Sequence, residues 1–565
     1  MVLCNTACSG ERKPNVILIV TDDQGYGDMS CHGNPYLKTP AMDRLYADGV
    51  RLTDFHVDPT CSPTRVALIT GRYATRVGVW LTYGSRNHLR RNEVTMADIF
   101  KENGYKTAIF GKWHLGDSYP FRPMDRGFDE SLIHGGGVIG ETPDYWDNNY
   151  YDDVYFRNGR PERVKGYCTD VWFNETIKFI EKHQGRPFFV YLPTNASHGP
   201  LHVPERYVEP YKEMQPSRAA FYGMIANIDE NLGRLRDHLK RLSLDRDTIL
   251  AFLNDNGTAG GVTLTKGSSG ARNGWEVGGY NAGMRGRKTS PYEGGHRAAC
   301  FLYWPNGGLT DGGNIRSLTA HIDLLPTFID LCGLHLEDMP RFDGISLKPV
   351  LTNEHAKLPE RSVVVHNQGR FGEPIGEGLL IKDKDYSVMR GKWRLVGKEL
   401  YDLNQDPGQR NDIADQHPKV ARRLRADYES WWKSVTEKSD TYCPFVINPA
   451  KQEMVTITSQ SLLGGQVAYS QRHVRSGMPI NGWTVIDVEV PDTYRISLRR
   501  WPKESNLAIG AEAPAYPMHP ATHMIKKIPC KVVNAVQGRL RVGEFDGTVS
   551  VHEGDEEAVL SLIHI

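Results

Sequence analysis

The sequence predicts an α/β fold on a mainly parallel sheet, and three observations carry that prediction. From Asn15 onward, short apolar runs rich in β-branched residues alternate with helical patterns, the texture of βα units whose strands are covered on both faces. Polar residues able to do chemistry gather directly after five of those strands, where open α/β sheets hold their ligands. With 565 residues, the chain can bury a large core and form more than one domain.

The first strand is Asn15-Val16-Ile17-Leu18-Ile19-Val20-Thr21, an apolar run too short for a buried helix. Pro40 and Gly49 bracket a helix over residues 40–48, and residues 50–55 return as a strand. Thr95 caps a helix that Gly104 ends, and residues 106–110 form the next strand. Apolar spacing then gives a helix over 169–183, a strand over 187–191, a long helix over 218–242 and a strand over 247–253. Beyond Pro326 the texture shifts: residues 392–403 read as strand, turn and strand, Asp406-Pro407-Gly408 as a turn, and 418–435 as a helix. After Cys443, short strands at 453–458, 483–490 and 493–498 predict an appended β-sandwich-like module. Ser561 to Ile565 reads as a terminal strand or a sequence scar. The expected division is a main α/β domain over 14–350, an α+β subdomain over 351–440 and the β-rich module over 445–560.

Composition narrows the function classes. Lys+Arg and Asp+Glu balance at 68 each, so no global field points to nucleic acid or an anionic membrane. No apolar run reaches the roughly 18 residues of a membrane span. Met1 to Gly10 is too short and polar for an intact signal peptide. The nine cysteines are scattered without a Cys-x-x-Cys pair, which indicates neither a zinc knuckle nor a dense disulfide framework.

Cys61-Ser62-Pro63-Thr64-Arg65 is the most informative stretch. Pro63 fits a first helical position, Ser62 an N-cap and Gly71 the C-terminal stop. Cys61 would then lie where free N–H groups and the helix dipole favour an oxyanion, with Arg65 adding positive charge. Asp22-Asp23 and Asp255-Asn256 follow two predicted strands and offer only oxygen donors, a set suited to Ca²⁺ or Mg²⁺ rather than zinc. In Gly111-Lys112-Trp113-His114, strand alternation puts Lys112 and His114 on one side and Trp113 on the other.

Cys-x-Pro-x-Arg followed by Leu68-Ile69-Thr70-Gly71-Arg72 resembles the signature of the sulfatase family, and Gly111 to Gly116 resembles its second motif. His198, in Ala196-Ser197-His198-Gly199-Pro200, matches the family's substrate histidine, with Ser197 where proline is usual. Lys288, before Glu293-Gly294-Gly295-His296-Arg297, matches a family lysine, and Leu400-Tyr401-Asp402-Leu403 resembles the family's C-terminal subdomain. The resemblance covers roughly residues 14–435 and implies an alkaline-phosphatase-like fold.

It also implies a sulfuric ester hydrolase whose Cys61 is oxidised to Cα-formylglycine by a formylglycine-generating or anaerobic sulfatase-maturating enzyme. Asp22, Asp23, Asp255 and Asn256 would bind Ca²⁺, with Mg²⁺ the weaker choice. The hydrated aldehyde would attack sulfur, with Asp255 as base and Arg65 and the metal holding the nucleophile. Lys112, Lys288 and His198 would bind sulfate, His198 and Lys288 would protonate the leaving alcohol, and His114 would take the proton that lets the aldehyde re-form. Family habit further implies export to the periplasm or beyond, with the leader absent or truncated and a cytoplasmic place left open.

Two other readings remain: a phosphonate or phosphate ester hydrolase of the same superfamily, and an inactive protein that binds sulfated glycans. Trp80, Tyr83, His88, His134, Tyr145 and Trp146 offer rings that could stack on a sugar or aryl leaving group. With the β-rich module, they favour a sulfated carbohydrate as substrate. Tyr494 to Pro502 resembles an element of the extra module in some bacterial members.

Overall fold

The computed structural model describes residues 13–265, 271–369, 373–515 and 530–564. The polar start of the chain, with Cys4 and Cys8, lies outside them. Ten strands form one sheet: β1 (Asn15–Thr21), β2 (Val50–His56), β3 (Lys106–Lys112), β4 (Glu130–His134), β5 (Val154–Arg157), β6 (Arg160–Arg163), β7 (Phe188–Pro193), β8 (Thr248–Asn254), β9 (Cys300–Tyr303) and β10 (Asn314–Ala320). Their order across the sheet is β10-β2-β9-β8-β1-β7-β3-β4-β5-β6. The run from β8 through β1, β7 and β3 to β4 is parallel throughout. Strand β9 lies antiparallel between β2 and β8, so those two point the same way as β1 and send their carboxyl ends to one edge. Sequence alternation did not announce this insertion.

β1 is buried along its whole length, because both faces of the sheet are covered. Val16, Leu18 and Val20 face one core, with residues of α2 (Cys61–Thr70), α3 (Met96–Glu102) and α6 (Leu324–Cys332). Ile17 and Ile19 face the other, with α1 (Pro40–Asp48), α4 (Cys168–His183) and α5 (Pro216–Arg241). Period-2 alternation within one strand thus serves two helical layers. Thr95 closes a capping box with Asp98 at the start of α3, as its side-chain chemistry predicts.

Four antiparallel strands, β11 (Val363–His366), β12 (Tyr386–Arg390), β13 (Trp393–Val396) and β14 (Glu399–Asp402), make the second sheet. Helix α7 (Pro418–Val435) packs on it through Leu424, Tyr428 and Trp431. Arg394 bolts this layer to the main domain, with Nε 2.8 Å from Glu293 and Nη2 2.8 Å from Asp54.

Two expectations need correction. Residues 453–458, read as a strand, are irregular chain with Met454 61% exposed, because alternation marks a face without supplying a partner strand. The stretch expected as a sandwich consists, among the described residues, of four two-stranded pairs, the last joining Thr493–Leu498 to Ala558–His564. Residues 459–475 instead lie against the loops at the carboxyl edge of the main sheet, where Gly84 N donates to Gln460 O and Thr142 N donates to Tyr469 O.

Candidate active site

Every predicted site residue reaches the same edge of the sheet. Asp22 and Asp23 follow β1, Lys112 ends β3, His198 follows β7, and Asp255 and Asn256 follow β8. Cys61 and Arg65 lie in the first turns of α2, which follows β2. The helix begins earlier than Ser-Pro suggests: Thr60 is the N-cap, Cys61 is helical, and Ser62 Oγ donates to His114 O instead of capping. Gly71 ends the helix at φ 64°, as expected of a left-handed C-cap.

Charges pair across a buried centre. Arg65 reaches Asp255 with Nη2 at 2.8 Å and Nε at 3.1 Å, and all three side chains of the set Arg65, Asp22 and Asp255 are fully buried. Lys112 Nζ lies 2.6 Å from Asp22, Lys288 Nζ pairs with Asp23, and His198 Nε2 is 3.6 Å from Asp23. Asp255 Oδ1 accepts from the backbone N–H of Asp23 at 3.1 Å. Asn256 Nδ2 donates to Asp23 Oδ1 at 3.0 Å. Burial pushes the Asp255 carboxyl up, with the neighbouring Asp22 charge adding to the rise. Asp22 is held below its ordinary value: burial raises it, and Lys112, His198 and Arg65 outweigh that.

One ligand atom from each of Asp22, Asp23 and Asp255 lies within 4.8 Å of the others. Asp22 Oδ1 and Asn256 Oδ1 are buried without a hydrogen-bond partner. Three carboxylates and an amide oxygen are a hard-donor set, and the two orphaned oxygens fit a divalent cation of the Ca²⁺ type. In a second cluster, His56 pairs with Asp54, Glu293 pairs with Arg297 and Arg394, and His296 Nδ1 lies 3.0 Å from His56 Nδ1.

His114 stands over the cysteine, with Nδ1 3.5 Å from Cys61 Sγ and Nε2 2.9 Å from Thr82 O. A carbonyl can only accept, so Nε2 carries the proton and Nδ1 turns its lone pair toward Cys61. Burial, reinforced by Lys112, holds the imidazole well below its usual range. Burial also raises the Cys61 thiol, so this residue is no thiolate. Asp23 and His114 both adopt φ 61°, a left-handed conformation uncommon outside glycine and concentrated at functional sites. Trp113 turns away and donates from Nε1 to Phe121 O at 2.8 Å.

Several proposed ring contacts are core instead. Trp80 and His88 are buried, Trp80 donating to Gly378 O and His88 stacking on Phe121, whereas His134 ends β4 close to Lys112 and His114. Trp146 packs edge-on against Trp501, from the Tyr494 to Pro502 element. Sequence reasoning pointed to the loop between Gly135 and Tyr151 for the leaving group and missed its contact with His114, where an added Cβ on Gly137 would be 2.3 Å from Cε1. The triple glycine Gly135-Gly136-Gly137 was its only local signal.

No helix among the described residues is long and apolar enough to cross a membrane. A family model described as Sulfatase matches residues 14–334, and one described as N-sulphoglucosamine sulphohydrolase, C-terminal, matches 287–431. The N-acetylgalactosamine-6-sulfatase of Sus scrofa is 30% identical over 378 residues, 62% of this chain and 68% of its own. Arylsulfatase A of Homo sapiens is 29% identical over 460 residues, 73% of this chain and 87% of its own. The crystal structure of Ps i-CgsB with k-i-k-neocarrahexaose superposes with a TM-score of 0.64 at 26% identity, covering 76% of this chain and 95% of that one. The phosphonate monoester hydrolase of Agrobacterium radiobacter shares the fold, with a TM-score of 0.53 at 19% identity over 80% of this chain and 99% of its own. The central sheet is therefore of the alkaline-phosphatase-like kind, and the chain, matched over more than half its length, belongs to the sulfatase family of sulfuric ester hydrolases.

Proposed function

We propose that this sulfatase releases inorganic sulfate from a sulfated carbohydrate, with Cys61 as the precursor of a formylglycine and Ca²⁺ held by Asp22, Asp23, Asp255 and Asn256. The observation that carries the reading is the convergence of three carboxylates, within 4.8 Å of one another, on the centre that holds Cys61, Arg65, Lys112 and Lys288. Sulfuryl transfer spreads charge over peripheral oxygens, so catalysis needs positioned cations, an activated nucleophile and a leaving-group acid. When present, the hydrated aldehyde would supply the nucleophilic oxygen, and a cation held by Asp22, Asp23, Asp255 and Asn256 would supply Lewis-acid stabilisation of the developing charge.

The chain's own residues do the rest. Arg65 fixes Asp255, which accepts the nucleophile's proton. Lys112, Lys288 and His198, the last as an imidazolium whose Nδ1 donates to Gly199 O at 2.7 Å, bind the sulfate oxygens, and His198 with Lys288 returns a proton to the departing alcohol. His114, neutral and with Nδ1 facing position 61, accepts the proton whose loss restores the aldehyde. A glycan substrate is supported by the names of the relatives, one acting on N-acetylgalactosamine 6-sulfate and another solved with a neocarrahexaose. The site belongs to a catalytic unit over 14–350, buttressed by the units over 351–440 and 445–560, and export to the periplasm or beyond fits that substrate.

The test is mass spectrometry of the tryptic peptide bearing Cys61, from protein made together with a formylglycine-generating enzyme, followed by a panel of sulfated saccharides, an aryl sulfate and a phosphodiester. The aldehyde and sulfate release are expected. Activity that survives Cys61→Ala, or a preference for the phosphodiester, sinks the reading.

A further inference from the structure

We propose that Glu141 and Gln460 are positioning residues for His114, so that the segment beyond the α+β layer completes the active site from more than 300 residues away. The inference rests on the role assigned to His114 above. Glu141 Oε2 accepts two hydrogen bonds, from Gly137 N at 2.6 Å and from Gln460 Nε2 at 2.8 Å. Gly137 in turn packs face-on against the His114 ring, with room for no side chain between them.

The rest of the loop is fixed to match. Asp117 Oδ1 accepts from Gly136 N at 3.0 Å, while Asp144 accepts from Gly135 N at 3.1 Å and from Gly140 N at 2.9 Å. Gln471 closes the other side, donating from Nε2 to the carbonyls of Glu141, Asp144 and Tyr145. A glycine can be pressed this closely on a ring, but a run of three glycines has many alternative conformations. Holding it in one costs entropy that these carboxylate and amide contacts offset. Glu141 is 8% exposed and touches neither Cys61 nor the acidic centre, so its effect on chemistry runs through the loop and the imidazole.

The chain Gln460, Glu141, Gly137, His114 predicts a specific kinetic defect. Sulfate capture and loss of the alcohol depend on Lys112, Lys288 and His198, which this chain does not touch. Proton acceptance by His114 comes after the alcohol has gone, so loosening the ring slows only the later half of turnover.

The experiment compares holoenzyme with Gln460→Ala, Glu141→Ala and Glu141→Gln, using 4-nitrophenyl sulfate in steady-state and stopped-flow assays, with crystal structures of each. A displacement of an ångström suffices for a fall in kcat of about 100-fold in the two alanine variants, and because only the step after alcohol release slows, KM falls with it and kcat/KM changes less than about threefold. The alcohol is expected in a burst ahead of sulfate, and the crystal structures should show the His114 ring released from Thr82 O. Glu141→Gln keeps an acceptor for Gly137 N, and the orphaned Oε1 of Gln460 can receive its new N–H, so kcat should recover. Unchanged kcat in both alanine variants, or a raised KM without a burst, overturns the proposal. A wild-type enzyme that releases no sulfate would instead count against the function proposed above.

Discussion

Gly137→Ala isolates the contact between the loop and His114. Gly137 lies outside the left-handed region of φ, so alanine is tolerated by the backbone and the added methyl acts through space alone. That methyl would sit 2.3 Å from His114 Cε1 and 2.4 Å from Nε2, where ordinary contacts begin at 3.4 Å. The ring has to retreat by about 1.1 Å, and an error of that size in a reacting group costs on the order of 100-fold in rate. Overpacking adds a destabilisation of about 1 to 3 kcal/mol, a shift of several degrees in melting temperature. Steady-state hydrolysis of an aryl sulfate with differential scanning calorimetry measures both. A variant that keeps kcat within about threefold would refute the claim that ring position limits turnover.

Two further outcomes follow from the same centre. Removing divalent cations with a chelator is expected to abolish activity and lower the melting temperature, and excess Ca²⁺ at about 100 times its Kd should restore roughly 2.7 kcal/mol, Mg²⁺ less; calorimetry showing no cation effect would contradict the fit of the acidic cluster. Burial raises Glu141 from 4.5 to about 7. The folded protein therefore keeps a proton that the unfolded chain has lost, and wild-type stability falls as pH rises through that window, whereas Glu141→Gln escapes the loss and should gain up to roughly 3 kcal/mol on wild type between pH 4.5 and 7; parallel melting curves would exclude this.

The alternation of strand and helix was legible because buried parallel strands read as unbroken apolar runs, and Val16 to Val20 is such a run. Asp22, Asp23, Lys112 and Asp255 were legible for a related reason: the residue just past a strand of an open sheet has one place to go. The start of α2 was misread because Ser62 and Pro63 satisfy local capping preferences that Thr60 displaces here. Strand β9 escaped notice because four residues, Cys300–Tyr303, carry no mark of direction. Glu141 and Gln460 were invisible, since a contact across 319 positions leaves no periodicity in the chain.

Cys61 is only 4% exposed, and its entire helix is buried. A modifying enzyme cannot reach a side chain enclosed in this way, so the conversion of Cys61 proposed above would have to occur on a chain that has not yet closed around it. The segment that seals the loop over His114 ends near Gln471. Ribosomes add about 5 to 20 residues per second, which separates the emergence of the two by about 20 to 80 s. On that proposal the order of events during synthesis, and not only the finished geometry, would decide how much of the protein becomes active.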